Sequence, residues 1–154
     1  MDAICTVANP GLSIVGIMRS ERRSLKGMQP VSRERERMDQ APYCLDQVRR
    51  DTVLTAIQEV CTHRGWCLLA AHVRTTHVHT VVEAEVGPER VMGDFKSYSS
   101  RRLNRTGLDS PDRRRWTRHG STRWLWEPQH ISAAIQYVVA EQGEAMAVFQ
   151  SDKT

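Results

Sequence analysis

Apolar residues recur at helical spacing in three segments of the chain, and each segment has a start or stop signal. The first begins after Asp46, a good N-cap, and ends at Gly65. The second opens at Gly87-Pro88, and the third runs from Glu127-Pro128 to Gly143. Because proline fits the first turn of a helix and glycine favours its end, this pattern predicts three helices.

Strand-like spacing lies between and outside these helices. A continuous apolar run, Trp66–Val73, is followed by a short polar turn and by the alternating stretch His77–Ala84. These two runs predict a β-hairpin. Shorter apolar runs, Leu12–Met18 and Met146–Phe149, predict one strand near each end of the chain.

The segment between the first strand and the first helix has a different composition. Residues 19–42 mix arginine and glutamate with serine and proline and show no apolar periodicity, which favours a solvated arm. We therefore divide the chain into two parts. Residues 1–42 form an N-terminal segment with one strand and a charged flexible arm, and residues 43–150 form the folded domain, which is long enough for a sizeable core.

Charge and cysteine content narrow the function classes. The 154-residue chain is 40% hydrophobic and 26% charged, and its net charge of +4 comes from arginine rather than lysine. Arginine binds phosphate bidentately, so a nucleic-acid partner is favoured. The cysteines match no zinc spacing, and no apolar run is long enough to cross a membrane. We expect a protein of a reducing cytoplasm without a membrane partner.

Two histidines share one face of the predicted hairpin. Side chains alternate along a strand, so His77 and His79 point the same way and could hold one divalent metal ion together. The alternative is a pair of structural histidines on a sheet face. His72, in the preceding strand, is interpreted as structural. On the last predicted helix, Tyr137 lies at the margin of the apolar stripe, where tyrosine is normally a packing residue.

Arginine and tryptophan are interleaved between residues 110 and 126. This pattern suits single-stranded nucleic acid, because guanidinium groups bind the backbone and indole rings stack on bases. The alternative is a hairpin around His119-Gly120-Ser121 with the tryptophans packed in the core. We favour packing for each individual tryptophan and phosphate contact for the arginines as a group.

The motifs, taken in order, resemble those of the HUH single-tyrosine transposases of insertion sequences and the related REP-associated tyrosine transposases. His77–Val82 is similar to the family's His-hydrophobic-His strand, and Tyr137–Gly143 is similar to its tyrosine helix. Phe95–Asn104 resembles its middle helix, and Gly120–Trp126 resembles the lead-in to the tyrosine helix. The resemblance covers roughly residues 43–143.

This resemblance implies an α+β fold, a ferredoxin-like sandwich whose antiparallel sheet has helices on one face and the metal on the other. It implies a transposase that cuts and rejoins single-stranded hairpin DNA through a 5′-phosphotyrosine formed by Tyr137. His77 and His79 would bind Mg²⁺ or Mn²⁺, with Glu141 as the third ligand and Gln142 as its alternative. A homodimer is also expected. The predicted DNA-binding residues are Arg113, Arg114, Arg115, Arg118 and Arg123, then Lys96 and Arg101.

The chain departs from the family in its N-terminal strand, which lacks aromatic residues, and in Glu141, where members often have Gln or Asn. Two other functions therefore stay open. One is an inactive or domesticated relative that binds hairpin nucleic acid without cutting it. The other is an unrelated ferredoxin-like RNA-binding module, in which Tyr137 would lie far from the histidine pair.

Overall fold

Six strands and three helices make up the described part of the chain. The computed structural model describes residues 2–8, 13–19, 40–41, 43–118 and 120–152. The elements in chain order are β1 (Asp2–Ala8), β2 (Ser13–Arg19), α1 (Gln47–Arg64), β3 (Cys67–Val73), β4 (His77–Glu83), α2 (Pro88–Thr106), β5 (Gly120–Leu125), α3 (Pro128–Ala140) and β6 (Ala147–Gln150). Among these residues, no helix is long and apolar enough to span a bilayer.

The helix ends follow the local capping signals. The side chain of Asp46 accepts a hydrogen bond from the backbone N–H of Arg49, and Gly65 ends α1 in the left-handed region with a φ of 71°. Helices α2 and α3 both carry proline in their first turn. The third helix ends at Ala140, three residues before the predicted stop at Gly143.

The sheet is antiparallel around the hairpin of β3 and β4. These strands pair from Cys67–Glu83 to Val73–Val78, with an irregularity between Leu68 and Ala70, and β6 pairs antiparallel with the outer edge of β3. On the other side, β2 runs antiparallel along β4, and β1 pairs with β2 and also lies alongside β4. Strand β5 meets β1 and β2.

Both faces of the sheet are covered by helices. Helices α1 and α2 pack over the larger core, which includes Val78, Val82 and Phe95. Helix α3 packs on the opposite face, where Ile135 and Val138 contact a smaller apolar cluster that includes Val81. The predicted α+β fold with an antiparallel sheet is confirmed. The prediction that the helices lie on one face alone is wrong for α3, because its side chains Ile135 and Val138 cover the face predicted for the metal.

The ends of the chain agree with the sequence prediction in part. The predicted strand at Leu12–Met18 is present as β2, whereas β1 was not predicted. Most of the predicted charged arm, residues 20–39 and 42, lies outside the described residues. The basic segment 107–118 is irregular and is followed by the single strand β5, so the described residues of this segment do not form the alternative hairpin.

Candidate active site

The histidine pair faces the underside of α3. The rings of His77 and His79 lie 5.1 Å apart between centroids, at an angle of 73°. Their neighbour on the same strand face, Val81, belongs to the small cluster under α3. Alternation along β4 therefore separates the imidazoles from the larger core on the other face.

His79 is buried without a hydrogen-bond partner. Its side chain is in a residue that is 4% exposed, and neither Nδ1 nor Nε2 has a partner among the described residues. Burial lowers the pKa of His79 to about 3, and the nearby charges of His77, His72 and Arg74 act in the same direction. At neutral pH the ring is therefore uncharged, which is the form that binds a metal ion.

Tyr137 lies next to this imidazole pair within one chain. Its ring centroid is 6.1 Å from that of His79, at an angle of 66°, and the residue is 42% exposed. Two elements bring the rings together, since His79 lies in β4 and Tyr137 lies in α3. The arrangement combines a phenol that has access to solvent with a buried, uncharged imidazole.

His72 anchors the tyrosine helix to the sheet. It is fully buried, and its Nδ1–H donates to the carbonyl of Val138 at 3.0 Å. Its Nε2 accepts the backbone N–H of Met146 at 3.2 Å. Both ring nitrogens are thus engaged, and burial lowers the pKa of this imidazole. With neither nitrogen available for a metal ion, the geometry agrees with the structural interpretation of His72.

Arg74 was not singled out from the sequence, yet it lies beside the site. A β-carbon built on Gly143 would be 3.6 Å from both terminal guanidinium nitrogens of Arg74. Gly143 follows α3 with a φ of 81°, which favours glycine. The only sequence signal was the place of Arg74 at the end of the strand before the histidine pair.

The third predicted metal ligand is not assembled with the two imidazoles. Within residues 43–118 and 120–152 and the other described positions, no group of three or more His, Cys, Asp or Glu side chains is arranged to hold a metal ion. Glu141 is the exposed residue that caps α3, and the side-chain amide of Gln142 donates to the carbonyl of Tyr137 at 3.3 Å. Both follow Tyr137 closely in the chain, so each stays a predicted ligand.

Comparison with known families identifies the chain. A family model described as Transposase IS200 like matches residues 39–141, which is more than half of the 154 residues. The chain belongs to the IS200-like transposase family. It is therefore placed among enzymes that cut and rejoin DNA, as the sequence motifs predicted. Comparisons with curated proteins and with solved structures give no match.

Two of the predicted DNA-binding arginines of this transposase are engaged within the protein. Arg115 is 4% exposed, and its guanidinium donates to Asp109 and Asn104. Arg113 donates to the side chain of Gln40 and to the backbone carbonyl of Ala41. These contacts tie the irregular segment 107–118 to the start of the folded domain. In this conformation Arg115 therefore holds the loop and does not face a ligand.

The other predicted basic residues differ in accessibility. Arg114, Arg118 and Arg123 are exposed. Arg101 is exposed as well, with its guanidinium 4.5 Å from the centroid of the Tyr98 ring. Lys96 is half-buried, donates to the carbonyl of Thr117 at 3.0 Å, and has its pKa lowered by burial. The exposed arginines remain the predicted backbone contacts.

The tryptophans of the basic segment divide into two kinds. Trp116 packs against the larger core, and its indole N–H donates to Ser100 at 2.8 Å. Trp124 in β5 and Trp126 directly after it are instead exposed, and their rings are stacked. The packing prediction is therefore right for Trp116 and wrong for the other two, because Leu125 takes the buried position of the strand.

Proposed function

We propose that this transposase cuts and rejoins single-stranded hairpin DNA through a covalent bond between Tyr137 and a 5′ phosphate. The observation that supports this most directly is the 6.1 Å separation between the ring centroids of Tyr137 and His79 in one chain. In an unrelated RNA-binding module Tyr137 would be expected to lie far from the histidine pair, whereas here this exposed tyrosine contacts the buried imidazole of His79.

The reaction begins at the Tyr137 hydroxyl. Loss of the phenolic proton gives an oxyanion that attacks the scissile phosphorus, and a new P–O bond to tyrosine forms while the bond to the 3′ oxygen breaks. The leaving oxygen takes up a proton and becomes a free 3′-hydroxyl. Rejoining is the reverse, with a 3′-hydroxyl as nucleophile and Tyr137 as leaving group. Since free tyrosine has a pKa near 10, the site must favour deprotonation.

His77 and His79 are the residues that would hold a divalent ion. The fit rests on His79, whose two nitrogens are buried without hydrogen-bond partners, a costly state that metal ligation would relieve. Glu141, or Gln142 as its alternative, would add an oxygen ligand, and this combination suits Mg²⁺ or Mn²⁺. When bound, the ion would neutralise phosphate charge and stabilise the leaving oxygen.

A covalent-adduct assay tests this proposal. The protein is incubated with labelled single-stranded hairpin DNA and Mn²⁺, and the products are separated on a denaturing gel. We expect a protein–DNA adduct that Tyr137→Phe abolishes. The matched control is Tyr98→Phe, which removes a hydroxyl from α2, away from the histidine pair.

The other outcomes separate the alternatives. Replacing both His77 and His79 by alanine should reduce the adduct strongly, as should chelation of the metal. An adduct that survives Tyr137→Phe would reject this residue as the nucleophile. Retained hairpin binding with no adduct in Mg²⁺ or in Mn²⁺ would favour the inactive, DNA-binding relative. The described residues assemble no third ligand beside the histidine pair, which supports this alternative.

A further inference from the structure

The two large indole side chains at the end of β5 are exposed to solvent and do not pack in the core. Leu125 is 4% exposed, whereas Trp124 is 40% exposed and Trp126 is 61% exposed. Trp124 lies in β5 and Trp126 comes directly after its last residue, Leu125, and the stacking of the two indoles places them on one side of the chain. Their centroids lie 5.9 Å apart with 17° between the ring planes, so they present one continuous aromatic surface.

This exposure is specific to the pair. The ring of Trp116 packs against the core, and its indole N–H donates to Ser100. Trp66 lies edge-on to the buried Phe95. The fold thus buries the other two indoles to a large extent. Paired rings left on the surface indicate a binding site more strongly than single apolar residues do.

We propose that Trp124 and Trp126 form a stacking platform for unpaired nucleobases of the DNA strand on which Tyr137 acts. Every base has an aromatic face, so such a platform binds single strands with little regard to sequence. Exposed Arg123 adds positive charge on the same strand. Glu127, beside Trp126, would repel a phosphate there, which favours contact through bases. This inference rests on the proposed single-stranded substrate.

The platform and the nucleophile belong to one continuous unit. Helix α3 begins two residues after Trp126, and Tyr137 lies nine residues after Pro128. At 1.5 Å per residue these nine steps span about 14 Å, or roughly four nucleotides stacked about 3.4 Å apart. The bases that contact the indoles should therefore lie a few nucleotides from the scissile phosphate.

The test measures binding apart from chemistry. In a Tyr137→Phe background, fluorescence anisotropy follows a labelled oligothymidylate, with and without the double change Trp124→Ala and Trp126→Ala. We expect affinity to fall on the order of tenfold with an unchanged salt dependence, because no charge is removed. Trp124→Phe with Trp126→Phe should restore much of the affinity. Trp116→Phe is the matched control and should leave it unchanged.

A second arm locates the contact on hairpin DNA. Abasic sites are placed one at a time along the single-stranded flank. A few abasic positions near the cleavage site should weaken binding to the Tyr137→Phe protein that keeps both Trp124 and Trp126. The same positions should have no effect on the double alanine variant. Circular dichroism establishes that this variant is folded.

Each adverse result has its own meaning. Equal affinities of the double alanine variant and its parent would reject the platform while leaving the proposed function intact. A dimer that becomes a monomer on the alanine changes, measured by sedimentation without DNA, would make the indoles a subunit interface instead. Failure of the parent to bind either oligothymidylate or hairpin DNA would reject the proposed function and the platform together.

Discussion

Replacing His72 should show how strongly the tyrosine helix depends on one buried side chain. Val138 is among the last four residues of α3, whose carbonyls have no partner inside the helix. The Nδ1–H of His72 satisfies this carbonyl, and its Nε2 satisfies the N–H of Met146. The change His72→Leu keeps the bulk of the side chain and removes both hydrogen bonds.

The expected loss follows from the two groups left without partners. A buried polar group deprived of its partner costs about 1–3 kcal/mol, so the two together should lower the free energy of unfolding by about 3 kcal/mol. For a chain of this length that corresponds to a melting temperature lower by roughly 6–12 °C. Urea denaturation followed by tryptophan fluorescence measures the loss. His63→Leu, on the exposed end of α1, is the control and should cost little.

His72→Leu should also slow adduct formation by Tyr137 under conditions where the variant is folded. The anchored carbonyl belongs to the residue after Tyr137, the proposed nucleophile, and a displacement of about 1 Å can cost on the order of 100-fold in rate. A stability loss below about 1 kcal/mol would refute the anchoring argument. If His72→Leu shows the full stability loss while the adduct rate is unchanged, His72 stabilises the position of α3 but does not align Tyr137 for reaction.

Three further predictions address other parts of the site. Because burial lowers the pKa of His79 from 6.5 to about 3, the unfolded chain binds a proton that the folded chain does not, and stability should fall as the pH drops from 6.5. By about pH 5 the metal-free protein should have lost about 2 kcal/mol through His79 in urea titrations, and His79→Gln should remove this part of the slope and leave the part that comes from buried His72. Arg115→Ala should lower the melting temperature, whereas Arg114→Ala should leave it unchanged. Arg114→Ala should instead lower the number of counterions released on DNA binding by about one, measured by anisotropy at several salt concentrations. Gly143→Ala should cost about 1 kcal/mol in thermal denaturation, because its φ of 81° disfavours a β-carbon; no loss would show that the backbone adapts.

Much of the fold followed from local signals. The helix caps at Asp46 and Gly65, the hairpin around residues 74–76 and the shared face of His77 and His79 all depend on neighbours in sequence. Periodicity and capping residues report such features directly. The same holds for Tyr137, which periodicity placed on the third helix.

Other features depend on partners far away in the chain. Arg115 is buried because Asp109 and Asn104 satisfy its charge, and no local pattern distinguishes it from exposed Arg114. Trp124 and Trp126 are exposed because Leu125 takes the inward position, a choice set by how β5 meets the rest of the sheet. Sequence composition alone could not predict the exposure of either group.

The position of His72 depends on an irregularity in β3 that the continuous apolar run concealed. Leu68 pairs with Val82 and Ala70 pairs with Val81, so Leu69 is an extra residue in the strand. A β-bulge of this kind reverses the faces of all later side chains. It turns His72 towards α3. In a regular strand His72 would enter the larger core, and Val138 would lose its cap.

This bulge matters because α3 rests on a small apolar cluster over β3 and β4. Its buried side chains are Ile135 and Val138, and the half-buried Ile131, Ala134 and Val139 pack around them. His72 adds one hydrogen bond to α3 itself, at Val138, and a second one to Met146, which follows the helix. The distance between Tyr137 and His79 is therefore controlled from β3 as much as from the strand that carries the histidine pair.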